Sequence, residues 1–203
     1  MASAGRAPGS PRRVVWTVED GEGRDEAEIV VEADRFTARG RATNIDPEPY
    51  ELRYAVRTVP PFVTESLTVE LSRADGRRRL ELRRSDEGIW TATLDGEDVV
   101  LPDLSDALDC DLGRCPTTNS MPVLREHLLE RDEPVELVMA LVDVPELVVH
   151  RSRQRYVPLG VTSDGRRTIR FESMDSDFRS VLTFDPAGVV VDYPQLARRV
   201  EPR

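Results

Sequence analysis

Lysine is absent from this sequence: each of the 28 basic residues in the 203-residue chain is arginine. Two readings fit. A genome rich in G and C favours arginine codons, or arginine is kept for flat, bidentate contacts with carboxylate or phosphate. Positive charge is also in deficit, since 38 acidic residues against 28 arginines leave a formal net charge of −10. That excludes a general nucleic-acid binder, which needs a positive field to meet phosphate. It also disfavours docking on an anionic membrane surface. No apolar run approaches the roughly 20 residues of a membrane span, so no stable membrane insertion is expected. The opening MASAGRAPGSPRR lacks the apolar segment of a secretory signal, so a cytoplasmic protein is expected. Cysteine is nearly absent, and Cys110 and Cys115 are expected as free thiols in that compartment. As a metal pair they would need two more ligands, and the histidines are only His127 and His150. No metal and no cofactor is expected. Neither a Gly-rich phosphate loop nor the signature of a catalytic nucleophile is found.

What is present has period two. Tyr50, Leu52, Tyr54 and Val56 alternate with polar or small residues, as do Leu67, Val69 and Leu71, then Leu80 and Leu82, then Val189, Val191 and Tyr193. Such alternation marks strands with one buried and one wet face. Turn signals separate the runs at Asp20-Gly21, Asp75-Gly76, Asp95-Gly96, Asp164-Gly165 and Pro186-Ala187-Gly188. The spacing is that of a hairpin meander, with no βαβ rhythm. The length suits one domain. The expected organisation is a disordered arm over residues 1–12, a single domain over 13–198 and a tail over 199–203. One segment, Ser120 to Glu130, has helical spacing, with Asn119 or Ser120 as its cap and Pro122 in the first turn. The apolar run Val135 to Val144 predicts a central, buried strand.

The densest polar cluster runs from Asp109 to Arg125 and holds Asp109, Asp111, Thr117, Thr118, Asn119 and Arg125. Polar loops of this kind often carry binding sites. The structural alternative is that Thr and Asn cap the helix while the Asp side chains hold the turn. Asp109 and Asp111 share a strand face about 6–7 Å apart, a spacing that a metal or a glycosidase-like carboxylate pair could use. Along Leu147 to Tyr156, one parity gives His150, Ser152, Gln154 and Tyr156, and the other Arg151, Arg153 and Arg155. The arginines could meet an anionic or hydroxyl-rich group. Alternatively they form a solvated face neutralised by nearby acids.

Several motifs, taken in order, resemble the bacterial glycolipid-binding family. They are Gly88-Ile-Trp90-Thr-Ala-Thr-Leu-Asp95-Gly96, the DCDL run at 109–112, TTNSMPVLR at 117–125, VPEL at 144–147, Gln154-Arg-Tyr156, and DPAGVVVDYP at 185–194. The resemblance is strong from Trp90 to Arg198 and looser before, where Trp16, Tyr50 and the Leu67–Leu71 run sit in matching places. Met121 stands where leucine is common, and the two cysteines fall where the family tolerates other residues. The resemblance implies a mainly β fold, a spiral β-roll whose long, mostly antiparallel sheet wraps around a single α-helix, LolA-like in character. It implies a glycolipid or similar amphiphilic ligand, a homodimer, and no established catalytic residues. An exposed sheet edge is a ready dimer contact.

The leading expectation is therefore a non-enzymatic binding protein. Its ligand-binding residues are expected to be Trp90, Asp109, Asp111, Thr118, Asn119, Arg125, His150, Gln154 and Tyr156. Leu137, Met139, Leu141, Phe171 and Phe184 are expected to meet the acyl part. The competing readings are an enzyme acting on a sugar or lipid through Asp109/Asp111 or His150, and a dimeric interaction module without ligand.

Overall fold

A computed structural model describes residues 9–18, 23–44 and 48–200. The turn expected at Asp20-Gly21, residues 1–8 of the expected arm and residues 201–203 of the expected tail lie outside the described residues. Alternation becomes strands as expected. The first eight are β1 Arg12–Val18, β2 Arg24–Val31, β3 Phe36–Asn44, β4 Tyr50–Val59, β5 Val63–Arg73, β6 Gly76–Arg84, β7 Trp90–Leu94 and β8 Glu97–Val99. A short strand β9, Asp109–Leu112, leads through a 3₁₀ turn, Pro116–Asn119, into helix α1, Ser120–Arg125. Then follow β10 Val135–Val142, β11 Val149–Val161, β12 Arg167–Ser173, β13 Arg179–Phe184, β14 Val190–Tyr193 and β15 Ala197–Val200.

All fifteen strands form one sheet, ordered β8-β7-β6-β5-β4-β3-β2-β1-β15-β14-β13-β12-β11-β10-β9. The pairs are antiparallel except β9 with β10, which run parallel. Parallel neighbours need a crossover, and the 3₁₀ turn with α1 supplies it. This is one β-α-β unit in a chain whose pattern shows no such rhythm. The β9 end of the sheet meets β5: the Thr64 N–H donates to the Leu108 carbonyl at 3.0 Å, and the Cys110 N–H to Thr64 Oγ1 at 2.9 Å. The sheet thus curls until its end meets its own middle, while β6 to β8 run past the seam. There the Trp90 indole N–H and the Arg84 guanidinium both donate to the Ala107 carbonyl. The remaining edge strand, β8, is three residues long and carries exposed Glu97 and Asp98, a short, charged edge that resists strand pairing.

The inward parity of β4, β5 and β6 packs Leu52, Val56, Leu67, Val69, Leu80 and Leu82 into the core. Outward, Arg41 pairs with Glu51 at 2.6 Å and Arg79 with Glu70 at 2.7 Å. Exposed pairs contribute about 0–1 kcal/mol each, so the stability lies in the inner face. The Asp95-Gly96 turn has both residues at positive φ, 56° and 89°, which suits a tight hairpin. On β3, Gly40 lies opposite Tyr54 of β4, and a Cβ there would sit 2.2 Å from the tyrosine Cζ. The bare glycine lets the ring lie across the sheet. Gly40→Ala is therefore expected to destabilise by about 1–3 kcal/mol, as overpacking does, read by urea unfolding.

Three expectations are corrected. The helix ends at Arg125 rather than Glu130, because His127 takes a left-handed conformation, φ 54°. Asn119 and Ser120 make no side-chain cap; the residue at the cap position, Asn119, is itself helical and sends its side chain elsewhere. β10 is one strand from the sheet end rather than central, and Leu137, Val138 and Leu141 are only partly buried. At the other terminus, Arg199 lies inside β15 and reaches Asp185 at 2.7 Å.

Candidate functional site

The parallel register sets Asp109 beside Met139 and Asp111 beside Leu141. The antiparallel register sets Met139 beside Ser152, Leu137 beside Gln154, and Tyr156 beside Phe171. Residues opposite one another share a face. One face of β9 to β12 therefore carries Asp109, Asp111, Ser152, Gln154, Tyr156 and Phe171.

A continuous hydrogen-bond chain crosses this face. Asn119 Nδ2 donates to the Tyr156 hydroxyl at 3.2 Å, Tyr156 donates to Gln154 Oε1 at 3.2 Å, and Gln154 Nε2 donates to Asp111 Oδ2 at 2.7 Å. Thr118 Oγ1 donates to Asp111 Oδ1 at 2.9 Å and accepts the Leu112 N–H at 3.1 Å. Thr118 and Asn119 thus serve this network rather than cap the helix. Burial raises the Asp111 pKa, opposed by the bonds from Gln154 and Thr118. Each donor fixes a rotamer, so the network is a preset surface.

It opens into a cleft of about 300 Å³ lined by Asp111, Asn119, Ser152, Gln154, Ser173 and Ser176 on the polar side. Leu141, Phe171, Phe178, Tyr193 and Leu196 make the apolar side. Phe171 packs edge-on against Tyr156 and Phe178, with centroids 5.5 and 6.0 Å apart. Tyr193 lies 6.4 Å from Phe178, a lining residue that is 38% exposed.

The structure thus brings Asp111, Asn119 and Gln154 into one cleft wall, with Thr118 and Tyr156 behind it. It separates the others. Asp109 is fully buried, and its Oδ2 accepts Arg125 Nε at 3.0 Å and a terminal guanidinium N–H at 2.7 Å. Burial raises its pKa in spite of that cation. Asp109 and Arg125 are outside the cleft lining while Asp111 is within it, so the two carboxylates do not face one space. Trp90 is buried at the β7 seam and borders a separate depression with Gly88, Ile89 and Pro102. His150, at the exposed start of β11, is also outside the cleft lining. Arg151, Arg153 and Arg155 point outward and pair with Asp106, with Asp175, and with Glu136 and Glu172. That is the neutralised face of the structural alternative. Of the expected acyl contacts, Leu141 and Phe171 line the cleft, Met139 and Phe184 are core, and Leu137 packs against the core.

Cleft residues that the sequence reading missed are Ser173, Ser176, Phe178, Tyr193, Leu196 and Arg114. They come from the end of β12 and the loop after it, the end of β14 and the corner after it, and the loop after β9. Only the sheet order brings those together. Both cysteines are buried: burial pushes the Cys110 thiol up to about 12, and the Cys115 thiol donates to Asp25 Oδ2 at 3.2 Å. Asp25 also accepts from the Tyr54 hydroxyl at 3.0 Å, and that hydroxyl lies 2.7 Å from Thr117 Oγ1.

Fold and cleft together define a curled β-roll with a small polar and aromatic cleft on its inner face. The chain belongs to the family described as "Putative glycolipid-binding", whose profile matches residues 13–199. It is similar to a DUF1089 family protein from Pseudomonas aeruginosa, 26% identical, with a TM-score of 0.69 over 98% of this chain and 97% of that one. A β-barrel-like protein of domain of unknown function DUF1849 from Brucella abortus shares the fold, with a TM-score of 0.57 at 11% identity over 97% and 98% of the two chains. No curated protein matches the chain. Among the described residues, no helix is long and apolar enough to cross a membrane.

Proposed function

We propose that the protein is a non-enzymatic binding protein for a glycolipid or similar amphiphile, with the sugar headgroup in the cleft at Asp111. The observation that carries this is the preset chain Asn119–Tyr156–Gln154–Asp111 facing Phe171, Phe178 and Tyr193. A sugar offers hydroxyls that donate to a carboxylate and accept from an amide, and an apolar C–H face that rests on aromatic rings. The cleft volume is at the lower end for ligand sites, about 300–1,000 Å³. It therefore suits a headgroup, with the acyl part leaving past half-exposed Phe178 and Met174. Binding is favoured over catalysis by the acid pair because Asp109 is sealed in its ion pair with Arg125.

Lipid extraction and native mass spectrometry of the purified protein test this, followed by titration with alkyl glycosides. Gln154→Ala is expected to weaken binding about tenfold or more, as loss of a hydrogen bond that orients a charged group does, with the circular dichroism spectrum retained. Wild-type protein that carries no lipid and binds no glycoside would end this reading.

A further inference from the structure

A second cleft, of about 350 Å³, adjoins the first and is lined by Asp25, Asn44, Tyr50, Arg114, Gln195 and Leu196 among others. Arg114 and Leu196 line both clefts. The wall between them is also crossed by a hydrogen bond, since Cys115 lines the first cleft and its thiol donates to Asp25 of the second. Two residues of this junction have unusual backbones. Arg114 and Gln195 take left-handed conformations, φ 61° and 71°, which glycine adopts without strain and long side chains rarely do. Strain of this sort tends to gather at ligand-contacting positions.

Arg114 is exposed, and among the described residues it is in no ion pair, although many arginines here are paired, Arg125 and Arg167 included. Arg114 borders both clefts, with Asp111 in the lining of one and Asp25, Tyr50 and Arg24 in the lining of the other, and its charge acts on the Tyr50 hydroxyl. With carboxylates at Asp25 and Asp111 and guanidinium groups at Arg24 and Arg114, neither an anion nor a cation matches the whole groove. Hydroxyl groups suit both kinds, because they donate to carboxylate and accept from guanidinium. Asn44, Tyr50 and Gln195 add groups of the same two-way kind.

We propose that the two clefts form one bipartite groove, in which the second cleft is a subsite for a second sugar ring or comparable polyol and Arg114 bridges the two. This rests on the headgroup reading of the first cleft, and it narrows the ligand class to headgroups larger than one sugar.

The test compares n-octyl-β-D-glucoside with n-octyl-β-D-maltoside, both below their micelle concentrations, by isothermal titration calorimetry. Wild-type protein is expected to bind the maltoside about tenfold tighter or more, the scale of one added charge-assisted hydrogen bond. Arg114→Gly and Gln195→Gly suit the left-handed backbone and are expected to stay folded by circular dichroism. In each, the ratio of the two affinities is expected to fall at least about threefold. Equal affinity for the two glycosides, or a ratio that survives both variants, overturns the bipartite groove. If Gln154→Ala then still weakens both glycosides, the first cleft stands alone. If neither glycoside binds, both proposals are overturned together.

Discussion

Arg125→Met is expected to destabilise the protein by about 3–5 kcal/mol, because it strands a buried carboxylate without its cation. Asp109 has no exposed surface, and Arg125 is its sole cationic contact among the described residues, through two N–H groups. The other carboxylate oxygen, Oδ1, has no hydrogen-bond partner among the described residues, so nothing takes over when the guanidinium goes. In the variant the carboxyl lowers its cost by holding a proton. The penalty should therefore be largest above neutral pH and shrink as pH falls. Replacing both partners, as Arg125→Met with Asp109→Leu, is expected to recover most of the loss, since an apolar pair of similar volume carries no desolvation penalty. Urea unfolding followed by circular dichroism measures both variants. A stable Arg125→Met protein that had lost glycoside binding would make Arg125 a ligand contact and not a structural one.

Asp25→Asn should move stability the other way. Burial lifts the Asp25 pKa from 3.8 to about 6, against hydrogen bonds from Cys115 and Tyr54 that favour the charged form. The folded protein therefore binds this proton more tightly than the unfolded chain does. The associated stability is fully present below about pH 4 and is lost as pH rises through about 6. At pH 8 the charged carboxylate costs about 3 kcal/mol relative to its protonated form. Asparagine keeps an oxygen for the Tyr54 and Cys115 donors and carries no charge. The variant is expected to melt about 5–10 °C above wild type at pH 8, the difference closing by pH 4. Thermal melts across that range measure it, and a difference that does not depend on pH would remove ionised Asp25 as the cause. A carboxylate kept at such a cost fits a position facing a cleft, where function and stability compete.

Much of the fold was legible in the sequence. Tyr50 to Val56, Leu67 to Leu71 and Leu80 to Leu82 entered the core on the parity they show, and Asp95-Gly96 and Asp185 to Gly188 turn where expected. The site was legible only in part. Asp111, Asn119 and Gln154 were expected at a ligand and line one cleft. Asp109 has the same face as Asp111 and the same chemistry, yet it is sealed. Arg125, 16 residues along from Asp109 in sequence, folds back over it from the end of α1, while Asp111, two residues further along β9, meets Gln154 of β11 instead.

The sequence by itself determined that alternating segments are strands, which side of β4, β5 and β6 is buried, and to which family the chain belongs. These depend on neighbours two residues apart, or on ordered motifs, and survive without knowledge of the whole. Only the tertiary structure decided which polar residues share a cleft. Phe178 and Arg114 reach it from loops and Tyr193 from the end of β14, far apart in the chain, because the sheet curls until β9 returns to β5. Which end of a strand lies at an opening depends on that curl and on the crossover through α1. Alternation has a period but no end, so it could not say where the core stops and the cleft begins.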